Sequence, residues 1–411
     1  MSKSVDELTI IQHLQFSDLA QAELLLTRWF ALHMHLQVER ITLTPKAVSL
    51  NSFNGIYRLH GQDYFFKTHV EEQSAMKTEY YHAEMLRAAG YNVVEPLYIM
   101  QEQGRQMVIY PVVHDPVMFD LMREVETGAE TFATITMLAA AEKLECERLL
   151  SIYQATLACS SAKDHAIAPI HQLFWHRLTG GRLAHFYAGK HVLLPGNPQK
   201  SGASILFEDL LHYRWCINGK MITSAHETLG ASIERAKMVL HPEREAPTVI
   251  GHGDAHFGNV FMTREGTYRY FDPAFAGRHS VLLDIIKPLY HNIFATWMYF
   301  PKEVARDLQL TVELRDGCVF VEHTYVLTPV RRAILETKLE YFLQPLKAWL
   351  RSLNALPDDW QEVINLALMC CPLLTLNLLD IRFSATLTWL GLSQAMEMSN
   401  FFLQKDVERS F

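Results

Sequence analysis

The sequence predicts an α+β fold of two lobes, a small antiparallel β lobe with one key helix and a larger, mainly helical lobe. Three patterns carry that expectation. Residues 41–110 contain short β-type runs bounded by turn signals, residues 71–89 break into them with apolar positions at helical spacing, and beyond residue 110 most of the chain keeps helical periodicity. The expected boundaries are 1–110 for a helical preamble with the β lobe and 111–411 for the helical lobe.

The elements follow in order. Leu8, Ile11, Leu14, Leu19, Leu24, Leu25 and Trp29 give residues 5–36 a helical preamble suited to packing. Strands are predicted at 47–50, 56–59 and 64–67, with Asn54-Gly55 and Gly61-Gln62-Asp63 as the turns between them. Met76, Tyr80, Ala83 and Leu86 mark the helix over 71–89, stopped by Gly90. Two more strands are predicted at 93–100 and 106–110, with Pro111 interrupting the ladder. Residues 118–157 and most of 285–403 read as helix, 248–276 as two short strands around a loop, and 191–202 as a surface loop. Trp349, Leu353, Trp360, Ile364 and Leu368 read as core helix positions.

Bulk properties narrow the function classes. An apolar fraction of 49% over 411 residues suffices for two packed domains. A net charge of -8 offers no broad cationic surface, so no nucleic-acid partner is expected. The first ten residues carry Asp6 and Glu7 and lack the apolar stretch of a secretory signal. The densest apolar run, 366–376, contains Pro372 and falls short of the roughly 20 residues of a membrane span, so no membrane partner is expected. Six cysteines without a CxxC pair suggest reduced core thiols and a cytoplasmic location.

The chemistry concentrates in VIGHGDAHFGNVF and the following TYRYFDPAFAGRHSVLLDI. Asp254 and Asn259 stand five apart, and Asp272 follows thirteen residues later, after an aromatic run. Phosphoryl transfer needs these residue types: one carboxylate to receive or orient an acceptor hydroxyl, and an amide oxygen with a second carboxylate as hard donors for magnesium.

Here the chain resembles the aminoglycoside phosphotransferase and choline kinase family, whose signature is H-G-D-x-x-x-x-N followed by a D-P-bearing strand end. His252, Gly253, Asp254 and Asn259 match it, as does Asp272-Pro273. The resemblance implies a protein-kinase-like two-lobed fold and an ATP- and Mg2+-dependent transfer of phosphate to a hydroxyl of a small molecule. It makes Asp254 the catalytic base, Asn259 and Asp272 the Mg2+ ligands, and Asp284 a buried structural aspartate. Such a fold also needs a strand lysine gripping the nucleotide and a helix glutamate holding it. Lys67 ends the run Tyr64-Phe65-Phe66, and Glu79 stands twelve residues on, preferred over Glu84 by its distance from the Tyr91-Asn92-Val93 segment. Ser52-Phe53-Asn54-Gly55-Ile56-Tyr57 is similar to the family's nucleotide loop, giving Ser52 and Asn54 as phosphate-side residues, although the family's glycine pair before the serine is missing. Family placement makes Met107-Val108-Ile109-Tyr110 the adenine-binding hinge, with Ile109 and Tyr110 as its nucleotide-binding residues, where the residues alone read as an edge strand.

Other readings compete. His252 and His256 have an HxxxH spacing, but the glutamate of a zinc protease is missing. A metallophosphatase would use a GDxH-like run but also needs an upstream D-x-H and a later G-N-H, neither of which occurs. A kinase-like nucleotide-binding module without catalysis would keep the fold alone. For the acceptor, the family builds its cleft partly from the segment between hinge and HGD loop. Here residues 171–190 hold Trp175, Phe186, Tyr187, Arg177, Arg182 and Lys190 and no carboxylate, which suits a polar or anionic metabolite better than a polycationic aminoglycoside.

Overall fold

The computed structural model of the chain describes residues 7–44, 52–69, 75–100, 107–129, 131–195, 203–223 and 227–403. Internal contacts distinguish two compact units, one made of residues 1–116, 261–264 and 269–274 and the other of the remainder.

The first unit opens with helices α1 (Glu7–Leu14) and α2 (Leu19–His33), the latter started by the Asp18 carboxylate accepting from Gln21 N at 3.1 Å. Strands β1 (Arg40–Leu43), β2 (Ser52–Leu59), β3 (Gln62–His69), β4 (Tyr98–Met100) and β5 (Met107–Pro111) form one antiparallel sheet in the order β1-β2-β3-β5-β4, with α3 (Ala75–Ala89) between β3 and β4. The preamble is part of this core. Leu8, Ile11, Leu26, Trp29 and Phe30 pack with Tyr57, Phe66, Met107 and Ile109, and the Phe30 ring lies 4.9 Å from Tyr57 and 5.6 Å from Phe66.

Three local expectations change here. Asn54-Gly55 is not a turn: β2 runs straight through it, pairing Asn54 with Lys67 and Gly55 with Phe66. Gly55 is there for clearance, because a Cβ would sit 2.4 Å from the Thr42 carbonyl oxygen and 2.9 Å from the Phe66 ring. The strand predicted over 93–100 shrinks to Tyr98–Met100, with Val93 making only a bridge to Tyr270; Pro96, between them, has no N–H to give a ladder. Pro111 does not interrupt β5 but ends it, paired with Tyr64. The strand predicted at 47–50 lies outside the described residues.

The second unit is mainly helical. Its long helix Phe132–Thr156 opens on a capping box in which Thr131 and Thr134 exchange side-chain and backbone hydrogen bonds. The helices Trp360–Leu374 and Ala385–Met398 pack together at its core. Gln394 holds a neighbouring segment, its Oε1 accepting from Tyr290 Oη at 2.8 Å and Trp297 Nε1 at 2.9 Å. Strands β6 (Ala158–Cys159), β11 (Pro247–Gly251) and β14 (Gly277–Ser280) form a three-stranded sheet with β11 central. Strand β7 (His191–Leu193) opens the segment that reads in sequence as a loop and pairs with β8 (Ser204–Leu206) just beyond it. Strands β12 (Val260–Met262) and β13 (Tyr268–Tyr270), most of whose residues belong to the first unit, pair with each other, so residues 248–276 hold three strands rather than two. A further hairpin, β15 (Leu310–Arg315) and β16 (Cys318–His323), interrupts the region expected to be helical and joins β9 (Arg214–Ile217) and β10 (Lys220–Met221) in a four-stranded sheet.

Candidate active site

Two groups of the expected residues assemble, one in each unit. In the second unit, β11 delivers the chain into the HGD loop with little room to spare. A Cβ on Gly251 would lie 2.4 Å from the Asp284 carboxylate, and one on Gly253 would lie 2.3 Å from the Phe275 carbonyl oxygen, where φ is +78°. Asp284 secures the loop. Its Oδ1 accepts from Gly253 N at 2.7 Å and lies 2.8 Å from His279 Nε2, while its Oδ2 accepts from Tyr153 Oη. Burial disfavours the Asp284 charge, but His279, Tyr153 and Gly253 outweigh it and hold the carboxyl below its ordinary range.

The loop then folds on itself around Asp254. The Asp254 carbonyl oxygen accepts from His256 N and from Asn259 Nδ2, both at 2.9 Å. Because the Asn259 amide nitrogen is committed, its Oδ1 is the atom left for a ligand. His256 caps the 3-10 turn Phe257–Asn259, its Nδ1 accepting from Gly258 N at 3.0 Å, which leaves Nε2 toward Asp254 Oδ2 at 3.9 Å. The charged neighbour of the Asp254 carboxylate is Lys287, whose Nζ stands 3.6 Å from the buried Oδ1. Burial disfavours the Asp254 charge, and Lys287, His256, Arg177 and His252 together still hold its carboxyl below the usual range. Lys287 is nearly inaccessible on the helix Ile286–His291, and burial lowers its own pKa against the pull of Asp254. Its Nζ donates to His291 Nε2 at 2.9 Å, which makes His291 the neutral Nδ1–H tautomer donating to Tyr299 Oη at 2.8 Å.

In the first unit, Lys67 on β3 donates to Asp272 Oδ1 at 2.8 Å. Asp272 adopts φ +56°, a left-handed conformation unusual for a side-chain-bearing residue and concentrated at functional sites. Lys67 on the third strand with α3 following is the element order that the kinase-like resemblance implies. Glu79 lies on α3, but its side chain and that of Ser52 are outside the described residues. Asn54, expected in a phosphate loop, is instead a ladder residue whose carbonyl accepts from Thr44 N at 2.9 Å and whose Oδ1 accepts from Thr44 Oγ1. The expected hinge residues Ile109 and Tyr110 are buried in β5, which is an interior strand, not an edge, and the Ile109 carbonyl is taken by Leu97 N at 2.7 Å.

No family model and no curated protein matches the sequence. Solved structures do. A spectinomycin phosphotransferase with ADP and spectinomycin aligns over 92% of this chain and 97% of its own at 13% identity and a TM-score of 0.41. An aminoglycoside phosphotransferase with ADP and hygromycin B aligns over 93% and 97% at 11% identity and 0.44. Plasmodium vivax ethanolamine kinase aligns over 96% and 95% at 10% identity and 0.45.

The segment read as the acceptor cleft also serves packing. Its aromatic and basic side chains are mostly used by the fold: Trp175 Nε1 donates to the Lys237 carbonyl at 2.9 Å, Tyr187 Oη to Leu373 at 2.7 Å, Arg182 Nη1 to Leu374 at 3.2 Å and Lys190 Nζ to His185 at 2.8 Å. Tyr187 also stacks on Phe207 at 4.5 Å. Sequence reasoning missed Lys287 and His291 altogether. Their i, i+4 spacing three residues after Asp284 was the available signal, but a lysine in an apolar helix reads as a solvated residue until the fold buries it. Among the described residues no cluster of three or more His, Cys, Asp or Glu side chains could hold a metal, and no helix is long and apolar enough to cross a membrane.

Proposed function

We propose that this protein is a small-molecule phosphotransferase of the aminoglycoside phosphotransferase and choline kinase type, moving the γ-phosphate of ATP to a hydroxyl group. The observation that carries the reading is the Asp254 carboxylate, ionised among cationic side chains with Lys287 Nζ 3.6 Å from its Oδ1, and held in a loop whose Asn259 amide nitrogen is committed to the Asp254 carbonyl.

Asp254 is the group that receives the acceptor hydroxyl, orients its oxygen for attack and takes its proton as the bond to phosphorus forms. Lys287 and the His256 ring keep Asp254 charged and fixed, so it accepts the hydroxyl hydrogen bond without reorganising. Lys67 is the cation for the nucleotide phosphates and Glu79 its helix partner. Asn259 Oδ1 and the Asp272 carboxylate fit magnesium as hard oxygen donors; when bound, the ion neutralises charge on the phosphate oxygens. Six free cysteines and an ATP-dependent reaction suit a cytoplasmic enzyme.

The test is consumption of labelled ATP across a broad library of hydroxylated metabolites, with magnesium and then with excess EDTA. Magnesium-dependent transfer that EDTA abolishes is the expected result. Nucleotide binding with no turnover anywhere in the library would favour the non-catalytic module instead, and transfer undiminished by EDTA would remove Asn259 and Asp272 from their role.

A further inference from the structure

Among the basic side chains of the acceptor segment, Arg177 differs from the rest. It sits half-buried on the short helix Trp175–Thr179, and its guanidinium makes no hydrogen bond or ion pair among the described residues. That helix and the Lys287 helix both pack against Trp360–Leu374, and Arg177 and Lys287 lie within electrostatic reach of Cys371 on it, of each other and of Asp254. Burial and the neighbouring Arg182 press the Arg177 pKa down to about 10, which marks a cation short of counter-charge. The local balance is therefore cationic, Arg177, its neighbour Arg182 and Lys287 against the one Asp254 carboxylate, with His291 held neutral between Lys287 and Tyr299.

Lys287 is already occupied, its ammonium shared between His291 and Asp254. Arg177 is not. A half-buried guanidinium with no protein acceptor is open to a ligand, and its planar fork matches a carboxylate or phosphate with two parallel hydrogen bonds. We propose that the acceptor carries an anionic group, a carboxylate or a phosphate, bound by Arg177 while its hydroxyl faces Asp254. The proposal rests on the reading of Asp254 as the hydroxyl-facing residue. A cationic amino alcohol would meet the same cations and be repelled.

Inorganic phosphate, titrated calorimetrically into the full-length protein, is the probe. Phosphate should bind the wild type; Arg177→Gln should weaken it at least tenfold, about the worth of a charge-assisted hydrogen bond, and Arg177→Lys, which keeps the charge and the fold, should recover part of that loss. The two sources of such an anion are separated by repeating the titration with magnesium and AMP-PNP. Binding that persists beside AMP-PNP belongs to the acceptor; displacement by AMP-PNP, but not by ADP, would assign the site to the transferred phosphoryl group and overturn the proposal. Absent phosphate binding, or binding equal in Arg177→Gln and wild type, would also overturn it. If AMP-PNP does not bind at all, the kinase reading falls, whereas the anion site is still decided by Arg177→Gln.

Discussion

At the residue scale the proposed chemistry rests on Asp254, a carboxylate kept ionised beside Lys287 and, on that reading, poised for an incoming hydroxyl. Asp254→Asn keeps the shape and removes the basicity, so turnover should fall by about 10² to 10⁴ with nucleotide affinity nearly unchanged. Steady-state kinetics beside a nucleotide titration decide it, and an undiminished kcat would refute the assignment. Lys67→Ala should act in the opposite way, raising the KM for ATP more than it lowers kcat for a saturating nucleotide, since it removes a cation and leaves Asp254 intact. A variant whose KM for ATP stays at the wild-type value would mean that Lys67 only balances Asp272.

At the scale of elements, the small sheet was legible because its strands alternate and its helix has clear periodicity, and the HGD loop was legible because Asp254, Asn259 and Asp272 are polar residues at a fixed spacing between apolar strands. Pairing was not legible. Asn54-Gly55 has the composition of a turn, and only the approach of the Thr42 carbonyl and the Phe66 ring explains why a strand needs glycine there. Conversely, the β15–β16 hairpin carried its own signal, Asp316-Gly317 between alternating residues, and was lost in a region dominated by leucine-rich helices. Both turn residues have positive φ, 50° and 68°. Gly317→Val should therefore cost about 1–2 kcal/mol, because a β-branched residue is strained in that conformation. A thermal or urea unfolding midpoint that does not move would show the turn to be relaxed in some other geometry. Lys287 was beyond sequence reasoning for a different reason: what sets it apart is burial, which spacing does not encode. Arg177 was named within its segment, but only the fold distinguishes it from Arg182 and Lys190, whose side chains donate to backbone carbonyls.

At the scale of the whole molecule, the buried Asp284 cluster couples the site to stability. Its carboxyl is held below the ordinary value near about 4, so its contribution is fully present above that pH and is lost as pH falls through the lowered folded value. Asp284→Asn should cost about 3–5 kcal/mol at neutral pH, with the gap to wild type closing under acid, and chemical denaturation at several pH values measures it. A gap that is constant with pH would mean that Asp284 acts by shape rather than charge.

The first unit is also discontinuous in the chain, and this has a consequence for how the protein is made. Residues 92–94 exchange hydrogen bonds with Tyr270 at 2.8 Å, Phe261 stacks on Phe271 at 4.5 Å, and Lys67 finds its partner in Asp272. A nascent chain that has just released residue 116 lacks all of these, and at about 5–20 residues per second the missing segment emerges only roughly 10–30 s later. The β lobe must wait, incomplete, for a segment that follows the first part of the helical unit in the chain. A fragment of residues 1–116 should accordingly give a poorly dispersed amide spectrum, which a supplied peptide of residues 260–275 sharpens; a well-dispersed spectrum from 1–116 alone would mean that the late segment is a guest in a lobe already finished.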